Sequence, residues 1–426
     1  MTYQEARTYI GQVSKTGSIL GLESIRNLMN ELGNVQDELS IIHIAGTNGK
    51  GSTGAFLESA LIEAGKKVGR YTSPAVFESL EVWRINRKNI TEVRYTEIVS
   101  KVKDACDRMT EKGMAHPTVF EVETAMAFLY FYEEKCDYVL LEVGMGGETD
   151  ATNLIKKTVC YVITSISMDH MQFLGQSLGE IAGVKAGIIK DGCPVVTVHQ
   201  KNEAMQAIEK MAQEKKAQML IADAARIQLT DAQYEIEKMT YFCPELGCVE
   251  IPLVGSYQLE NSYLAIVVLK EILHIDTSVI LQGLKNARWP GRFETIMEEP
   301  LFIIDGAHNE DAAEKLAATV RKYFTNKKIT YIIGVLADKE HEKMLKIMLP
   351  LAERVFTVTP PNARALDGAS LAEEAKKYHP KVCACESVAK AAEQALAVTA
   401  KDEMILAFGS LSYLGELKQE VERLLE

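Results

Sequence analysis

Short apolar runs alternate with longer amphipathic stretches along most of the chain. In the N-terminal half, apolar runs that end in Gly, Ser, Asp or Glu predict β-strands, at residues 40–45, 68–71, 138–142, 159–164 and 194–198. Helical patterns lie between them, for example over residues 53–64 and 121–134. Strands that alternate with helices of this length predict parallel βαβ units.

The pattern breaks near Pro290-Gly291 and then resumes. Before the break, a helix predicted over residues 204–216 leads into a polar, β-like stretch that runs to Ile251. After it, a second alternating series predicts strands at residues 301–305, 330–335, 354–359 and 403–408. Because a proline-glycine turn interrupts both periodicities, we place a domain boundary there, with residues 1–290 and 291–426 as the two domains. Ligands of open parallel sheets bind beyond the carboxyl ends of the strands.

Composition narrows the function classes. A chain of 426 residues with 47% hydrophobic and 25% charged residues is typical of a globular protein of two domains. A net charge of −12 without a dominant Lys/Arg stretch argues against a nucleic-acid partner. The first residues lack the apolar core of a signal peptide, and no apolar run has the length of a membrane span. We therefore expect a cytoplasmic protein without a membrane partner.

A glycine-rich segment follows the first predicted strand and precedes a helix. Backbone N–H groups of such a loop, together with the helix N-terminus, can hold phosphate oxygens. Lys50 would bridge the β- and γ-phosphates of a nucleotide, and Ser52 would bind a phosphate or the metal. The segment departs from the common G-x-x-x-x-G-K-[ST] form, and the alternative is a tight turn with a solvated lysine. The order strand, turn, helix favours a phosphate loop, whose residues are Gly46, Thr47, Asn48, Gly49, Lys50, Gly51 and Ser52.

Three other predicted strands end at side chains that can bind a metal. Glu142 ends the strand at 138–142, and a buried carboxylate needs a partner such as a metal ion that bridges ATP phosphates; the alternative is a salt bridge. His170 follows the next strand, with Asp169 as an orienting neighbour; alone it would be a structural histidine. Ser73 follows the strand at 68–71, where it either binds metal or begins a turn.

Lys185 lies in an apolar, glycine-spaced segment. Burial would lower the pKa of its amine and leave a neutral group able to add carbon dioxide. The resulting carbamate would be an anionic metal ligand. A lysine whose stem crosses apolar surface while its ammonium reaches water explains the pattern equally well.

Together these segments resemble the folylpolyglutamate synthase and dihydrofolate synthase family, relatives of the peptidoglycan Mur ligases. The resemblance spans nearly the whole chain in the right order. Its most specific segments are residues 46–52, 71–74, 142–153, 167–170, 185–188, 290–294 and 305–309.

The resemblance implies an α/β fold, with an N-terminal P-loop Mur-ligase-like domain built on a parallel sheet and a smaller Rossmann-like C-terminal domain. ATP would lie between the domains. The resemblance implies one Mg²⁺ held by Ser73 and Glu142, and a second held by Glu142, His170 and a carbamylated Lys185. The family positions that contact ATP correspond to Asn261, Arg292 and Asp305. Those near the pterin substrate correspond to Thr118, Phe120, Glu121, Asp150 and Ala151. His308 matches a family histidine to which we assign no role.

The implied reaction is the ATP-dependent joining of L-glutamate to a folate or dihydropteroate carboxylate through an acyl phosphate, by an enzyme expected to be a monomer. Four positions depart from the family pattern: Ala75, Glu148 in place of Arg, Val184 in place of Glu, and Tyr257 in place of His. They leave open a ligase of the same fold with a different carboxylate acceptor. A nucleotide-binding regulatory module is the other alternative, although such a module has no need of the whole metal-binding set.

Overall fold

The computed structural model describes residues 1–14, 21–156, 158–235 and 238–425. Its strands form an eight-stranded, a three-stranded and a six-stranded sheet. In chain order they are β1 (Ile41–Ala45), β2 (Val68–Tyr71), β3 (Trp83–Ile85), β4 (Lys88–Asn89), β5 (Tyr138–Glu142), β6 (Cys160–Ile163), β7 (Val195–Val198), β8 (Met219–Ala222), β9 (Gln228–Glu235), β10 (Lys238–Cys243), β11 (Gly247–Ile251), β12 (Glu294–Met297), β13 (Leu301–Ile304), β14 (Ile329–Ile333), β15 (Arg354–Thr357), β16 (Val382–Ala384) and β17 (Met404–Phe408).

Helices cover the two larger sheets. They are α1 (Tyr3–Val13), α2 (Glu23–Glu31), α3 (Lys50–Glu63), α4 (Glu92–Glu111), α5 (Val119–Glu133), α6 (Met171–Leu174), α7 (Leu178–Ala186), α8 (Asn202–Glu214), α9 (Ser256–Val267), α10 (Thr277–Lys285), α11 (Glu310–Tyr323), α12 (His341–Met348), α13 (Gly368–Ala375), α14 (Val388–Val398) and α15 (Leu414–Leu425). In the part of the chain that is described, none of these helices combines the length and the apolar character needed to cross a membrane.

The eight-stranded sheet has the order β4-β3-β2-β5-β1-β6-β7-β8. Strands β2, β5, β1, β6, β7 and β8 run parallel, while β3 and β4 are antiparallel additions at one edge. Central β1 is buried along its whole length, as expected for a parallel strand with helices on both faces. The chain order reverses between β5 and β6 on either side of β1. This switch point is where an open α/β sheet binds its ligand.

The six-stranded sheet has the order β12-β13-β17-β14-β15-β16, and all strands except β12 run parallel. The small antiparallel sheet β9–β11 lies between the two larger sheets in the chain. Its buried side chains, such as Met239 and Tyr241, join one apolar cluster with residues of α3, α9 and α10. The three sheets thus share packing around α9 and α10.

The predicted fold class is confirmed, with a parallel-rich sheet in each half of the chain. The structure contains the predicted strands, with ends displaced by at most two residues. Helix α3 begins at Lys50 and not at the predicted residue 53. The prediction started at the apolar repeat, whereas the helix includes one more turn of polar and small residues before it. Pro290-Gly291 lies between α10 and β12. The division into domains at this turn stays a prediction.

Candidate active site

A cleft of about 1210 Å³, part of it open to solvent, lies at the carboxyl ends of β1, β5 and β13. Residues from both halves of the chain line it. The structure places every predicted nucleotide and metal residue on its wall: Gly46, Thr47, Asn48, Gly49, Lys50, Gly51, Ser52, Ser73, Glu142, His170, Lys185, Asn261, Arg292 and Asp305.

The glycine-rich loop joins β1 to α3 in a shape that needs its glycines. Gly46 and Gly49 have φ values of 147° and 90°, which side chains rarely adopt. A Cβ at Gly46 would also clash with the hydroxyl of Thr164, and one at Gly49 with the side chain of Asn261. The backbone N–H of Thr47 donates to the carbonyl of Ser165 at 2.9 Å. The loop is therefore fixed in a close turn at the switch point.

Lys50 and Glu142 face each other across this turn. The Nζ of Lys50 lies 4.0 Å from Oε1 of Glu142 and donates to the carbonyls of Gly46 and Thr47 at 3.2 and 3.3 Å. Burial raises the pKa of the Glu142 carboxyl, while Lys50 and nearby arginines oppose that rise. The Glu142 side chain is 12% exposed, and its ion pair among the described residues is long, at 4.0 Å. Such a largely buried carboxylate is a suitable ligand for a further cation.

A stack beneath the loop was not predicted from the sequence. The guanidinium of buried Arg70 lies 4.0 Å from the ring centroid of Trp289 and pairs with Glu58 at 2.9 Å. Arg70 also donates to the carbonyl of Gly51, whose Cα packs directly against the Trp289 ring. Burial lowers the pKa of Arg70 to about 10, and Glu58 opposes that change. The segment that precedes Pro290-Gly291 is thus docked on the first turn of α3.

The second predicted metal ligand sits in a cluster of charges. Lys339 donates to Oδ1 of Asp169 at 2.6 Å, and its Nζ lies 3.1 Å from Nε2 of His170. His308 Nε2 lies 3.9 Å from Asp169. Burial alone would raise the pKa of Asp169, but Lys339 and the two histidines hold it well below its usual range. Burial lowers the pKa of His170. The sequence pattern had not indicated Lys339.

Lys185 extends from α7 under the phosphate loop. Its Nζ donates to the carbonyl of Gly46 at 3.0 Å, and the side chain is buried. Burial, reinforced by the charge of Lys50, lowers the pKa of Lys185 to about 7. A substantial fraction of this amine is therefore neutral near pH 7.

Helix α9 presents polar side chains to the loop. Gln258 donates to Oγ of Ser52 at 3.2 Å and accepts from Asn261 at 3.0 Å. On the opposite wall, the Asp305 carboxylate accepts bonds from its own loop, and Gly306 packs against the guanidinium of Arg292. Asn261, Arg292 and Asp305 thus surround the loop from two sides.

Direct contacts hold the two halves together across the cleft. The Asn48 amide donates to Asp311 at 2.8 Å and exchanges hydrogen bonds with Asn309 at 3.1 and 3.2 Å. Lys315 of α11 donates to Ser165 at 3.2 Å. The phosphate loop is therefore tied to the N-terminal end of α11, a link that the sequence did not indicate.

The residues predicted near a pterin lie behind the cleft wall. Of the described residues, those that line the cleft include none of Thr118, Phe120, Glu121, Asp150 and Ala151. Thr118 and Glu121 form the capping box of α5, and Glu121 also accepts a bond from the backbone of α2. Phe120 and Asp150 contact the loop after β5, and Ala151 is buried in the N-terminal core. Their direct role in binding stays a prediction.

The four departures have different surroundings. Glu148 is exposed, and its backbone N–H donates to the carbonyl of Val184 at 2.9 Å. Val184 and Ala75 are partly buried against neighbouring apolar clusters. Tyr257 lines the cleft and bonds Asp305. Tyr257 is thus hydrogen-bonded to a residue predicted to bind the nucleotide.

The donor set fits one magnesium ion without modification. Ser73 and Glu142 bring two oxygen donors to the same cleft, the ligand type that Mg²⁺ prefers. In the described ranges, this cleft included, no three His, Cys, Asp or Glu side chains are grouped to hold a metal. An ammonium cannot bind a cation, so Lys185 fits a second metal only as its carbamate, beside His170 and Glu142.

Comparison with known proteins agrees with this geometry. Residues 44–269 match the Mur ligase middle domain, and residues 291–411 match the Mur ligase glutamate ligase domain. The dihydrofolate synthase/folylpolyglutamate synthase of Bacillus subtilis (strain 168) is 38% identical over 362 residues, which cover 83% of this chain and 84% of that protein.

Solved structures extend the likeness to the whole chain. Mycobacterium tuberculosis folylpolyglutamate synthase complexed with ADP matches with a TM-score of 0.89 at 27% identity, covering 99% of this chain and 98% of that one. E. coli FolC in complex with DHPP and ADP matches with a TM-score of 0.86 at 27% identity and the same coverage. The chain belongs to the folylpolyglutamate synthase/dihydrofolate synthase family of ATP-dependent Mur ligases.

Proposed function

We propose that this enzyme uses ATP and Mg²⁺ to join L-glutamate to the carboxylate of dihydropteroate or of a folate. The cleft carries this proposal, because it combines a phosphate loop and the largely buried Glu142 carboxylate with the basic side chains of Lys50 and Arg292. Such a site suits a polyphosphate and its metal. The enzyme is proposed to act as a cytoplasmic monomer without a membrane partner, and its net charge of −12 argues against a nucleic-acid partner.

The reaction has two transfers. A carboxylate oxygen of the acceptor attacks the γ-phosphorus of ATP, so that ADP leaves and an acyl phosphate forms. The amine of glutamate then attacks the acyl carbon, loses a proton, and phosphate leaves. Lys50 neutralises charge on the transferred phosphoryl group. Such electrostatic stabilisation is the main contribution of a protein to the catalysis of this step. The contacts of Asn48 with Asn309 and Asp311 hold the two halves of the chain together on one side of the cleft, where they would limit access of water to the acyl phosphate.

Metal binding follows from the same side chains. Ser73 and Glu142 would hold one Mg²⁺, and Glu142, His170 and carbamylated Lys185 a second. Bound there, Mg²⁺ supplies positive charge to the phosphate oxygens of ATP. Lys339 would have to give up its contact with Nε2 of His170 for that nitrogen to bind metal.

The nucleotide would lie with its phosphates on the loop Gly46–Ser52 and its remaining part between α9 and the end of β13. Asn261 lies on the first wall, and Arg292 and Asp305 lie on the second. The ADP complexes of relatives from M. tuberculosis and E. coli support this proposal.

The acceptor would enter beside the loop that follows β5. Phe120 packs against Gly144, which lines the cleft, and Asp150 accepts a 2.9 Å bond from the backbone of Met145 in the same loop. Thr118, Glu121 and Ala151 support this wall from behind. The E. coli relative, whose structure contains DHPP, supports a pterin acid as the acceptor.

One assay tests the reaction and separates the alternatives. ADP release is measured with ATP, Mg²⁺, L-glutamate and, in turn, dihydropteroate, reduced folates and unrelated carboxylates. We expect ADP release that depends on both glutamate and a pterin acid. Release only with an unrelated carboxylate would identify a same-fold ligase with another acceptor. A protein that binds ADP but produces none from ATP under any of these conditions would be a regulatory module.

The exposed loop residue Glu148 yields a prediction about the acceptor. Glu148→Arg should leave kcat/KM for dihydropteroate and for a reduced folate within about twofold, because an exposed charge is screened by water and salt. The kinetic constants of wild type, Glu148→Arg and the neutral control Glu148→Gln are compared at low and physiological salt. A change near tenfold that follows the charge would instead place Glu148 beside the acceptor.

A further inference from the structure

One hydrogen bond links the two walls of the cleft through a tyrosine. Tyr257 lies in the first turn of α9, and its hydroxyl donates to Oδ2 of Asp305 at 2.9 Å. Asp305 follows β13 in the six-stranded sheet, 48 residues further along the chain. The bond therefore joins a helix that contacts the phosphate loop to a carboxylate that belongs to the other half of the protein.

The hydrogen bonds of Asp305 leave little freedom to its carboxylate. Oδ2 also accepts from the backbone N–H of Phe293 at 2.9 Å, and Oδ1 accepts from that of Ala307 at 2.8 Å. A carboxylate offers about two acceptor positions on each oxygen. Oδ2 is thus filled, and Oδ1 keeps one position for a ligand in the cleft.

The tyrosine is itself held in place. Its ring packs on Gly255, where an added Cβ would come 2.7 Å from the ring atom Cε1. Burial, and then the neighbouring Asp305, raise the pKa of the Tyr257 hydroxyl well above its usual value, so that it remains a donor. One turn further along α9, Asn261 packs against Gly49 of the phosphate loop. Helix α9 therefore contacts the phosphate loop and Asp305 at once.

We propose that Tyr257 is a positioning residue for ATP, whose hydroxyl fixes the Asp305 carboxylate across the two halves of the enzyme so that Oδ1 is presented to the nucleotide. This inference rests on the proposed ATP site. The tyrosine does not take part in phosphoryl transfer. Its removal should weaken nucleotide binding and leave the chemical step nearly unchanged.

The test is Tyr257→Phe, which removes the hydroxyl and keeps the ring on Gly255. The Kd of Mg-ADP by calorimetry and the KM for ATP should each rise about tenfold, as expected when a hydrogen bond to a charged group is lost. The kcat should stay within about threefold, and the KM values of glutamate and of the acceptor should not change. Unchanged Kd and KM for the nucleotide would overturn the proposal.

Tyr263→Phe is the matched control. Tyr263 lies on the same helix and also donates to a carboxylate, Glu245, at 3.1 Å, but it does not line the cleft. This variant should bind Mg-ADP like wild type. A tenfold loss of affinity there as well would mean that α9 is merely destabilised, and would overturn the specific role of Tyr257.

A double-mutant cycle separates action through Asp305 from a direct effect. In the background Asp305→Ala, which removes the acceptor oxygens, the change Tyr257→Phe should cost much less affinity than in wild type, because residues that act as a unit are non-additive. Full additivity would overturn the inference. Wild type that fails to bind Mg-ADP at all would instead contradict the proposed ATP site, so that the two failures are distinguishable.

Discussion

Replacing Lys50 by alanine is expected to lower turnover by about 10³-fold or more, since a cation that contacts the transferred phosphoryl group has effects of this size. The Lys50 side chain lies in the cleft, where it donates to two loop carbonyls 3.2 and 3.3 Å away and lies 4.0 Å from Glu142. Burial raises the pKa of the Glu142 carboxyl, so that this group can take up a proton when the cation is removed. Loss of the Lys50 side chain should therefore leave the free energy of unfolding within about 1 kcal/mol of wild type. The enzyme should stay folded and become inactive.

Steady-state ADP release measures the turnover, and urea unfolding measures the free energy of unfolding. Lys66→Ala, an exposed lysine just past the end of α3, is the matched control and should retain full activity. Lys50→Arg keeps the charge in a bulkier, planar group and should recover only part of the rate, because the loop admits one geometry. Turnover of Lys50→Ala within a few-fold of wild type would refute the assignment of the phosphate loop.

The positions of the cleft residues were predictable because strand ends are local features of a sequence. An apolar run that stops at Glu142, and another that precedes Ser73, each mark a carboxyl end without any knowledge of the partner strands. Parallel pairing then brings these ends to one edge, as the pairing of Ile44 with Glu142 shows. The same argument predicted the phosphate loop from β1, but it could not provide the order of strands in the sheet.

Contacts between the two halves of the chain could not be predicted from the positions of strand ends. Lys339 lies 169 residues from His170, and neither flanking pattern indicates that the two side chains meet. Tyr257 could be recognised only as a departure from the family histidine. Its hydrogen bond to Asp305 depends on how α9 and β13 face each other. Relative placement of two packed units is set by their whole surfaces, which no short pattern encodes.

The Trp289 stack shows a further limit. The pair Pro290-Gly291 predicts a turn but says nothing about the neighbouring Trp289. In the structure the Trp289 ring packs against Arg70 and Gly51. Arginine in a strand and glycine in a phosphate loop each have an adequate local explanation. That both residues pack against Trp289 can be seen only in the folded structure. This packing also holds the start of the segment that carries Arg292.

The second large change in activity is expected at Lys185. In the proposed modification, the neutral amine would add to carbon dioxide, forming an N–C bond and releasing one proton, so that a neutral group becomes an anionic carbamate. Two features favour this step: burial and Lys50 lower the pKa of the amine to about 7, and Nζ is held 3.0 Å from the carbonyl of Gly46. The neutral fraction rises as pH rises through about 7. At fixed carbon dioxide pressure, carbamylation should rise with it.

Activity of the wild type should therefore fall about tenfold in buffer depleted of carbon dioxide and return when bicarbonate is added, as expected if a metal ligand is lost and regained. Lys185→Ala should lose about 10³-fold in turnover, with partial rescue by acetate or propionate, which replace the missing carboxylate. Lys190→Ala is the matched control: Lys190 lies on the same segment, and burial lowers its pKa too, but it lies outside the residues that line the cleft.

Lys185→Arg separates a carbamate from a simple cation. Its guanidinium keeps the positive charge near Lys50 and cannot be carbamylated under these conditions, because it stays protonated. If the carbamate is the active form, this variant should be as inactive as Lys185→Ala and should not respond to bicarbonate. If instead residue 185 served as an ammonium beside the phosphates, Lys185→Arg would keep much of the rate. Activity of Lys185→Arg within a few-fold of wild type would therefore exclude the carbamate, and with it the second metal position on His170 and Glu142.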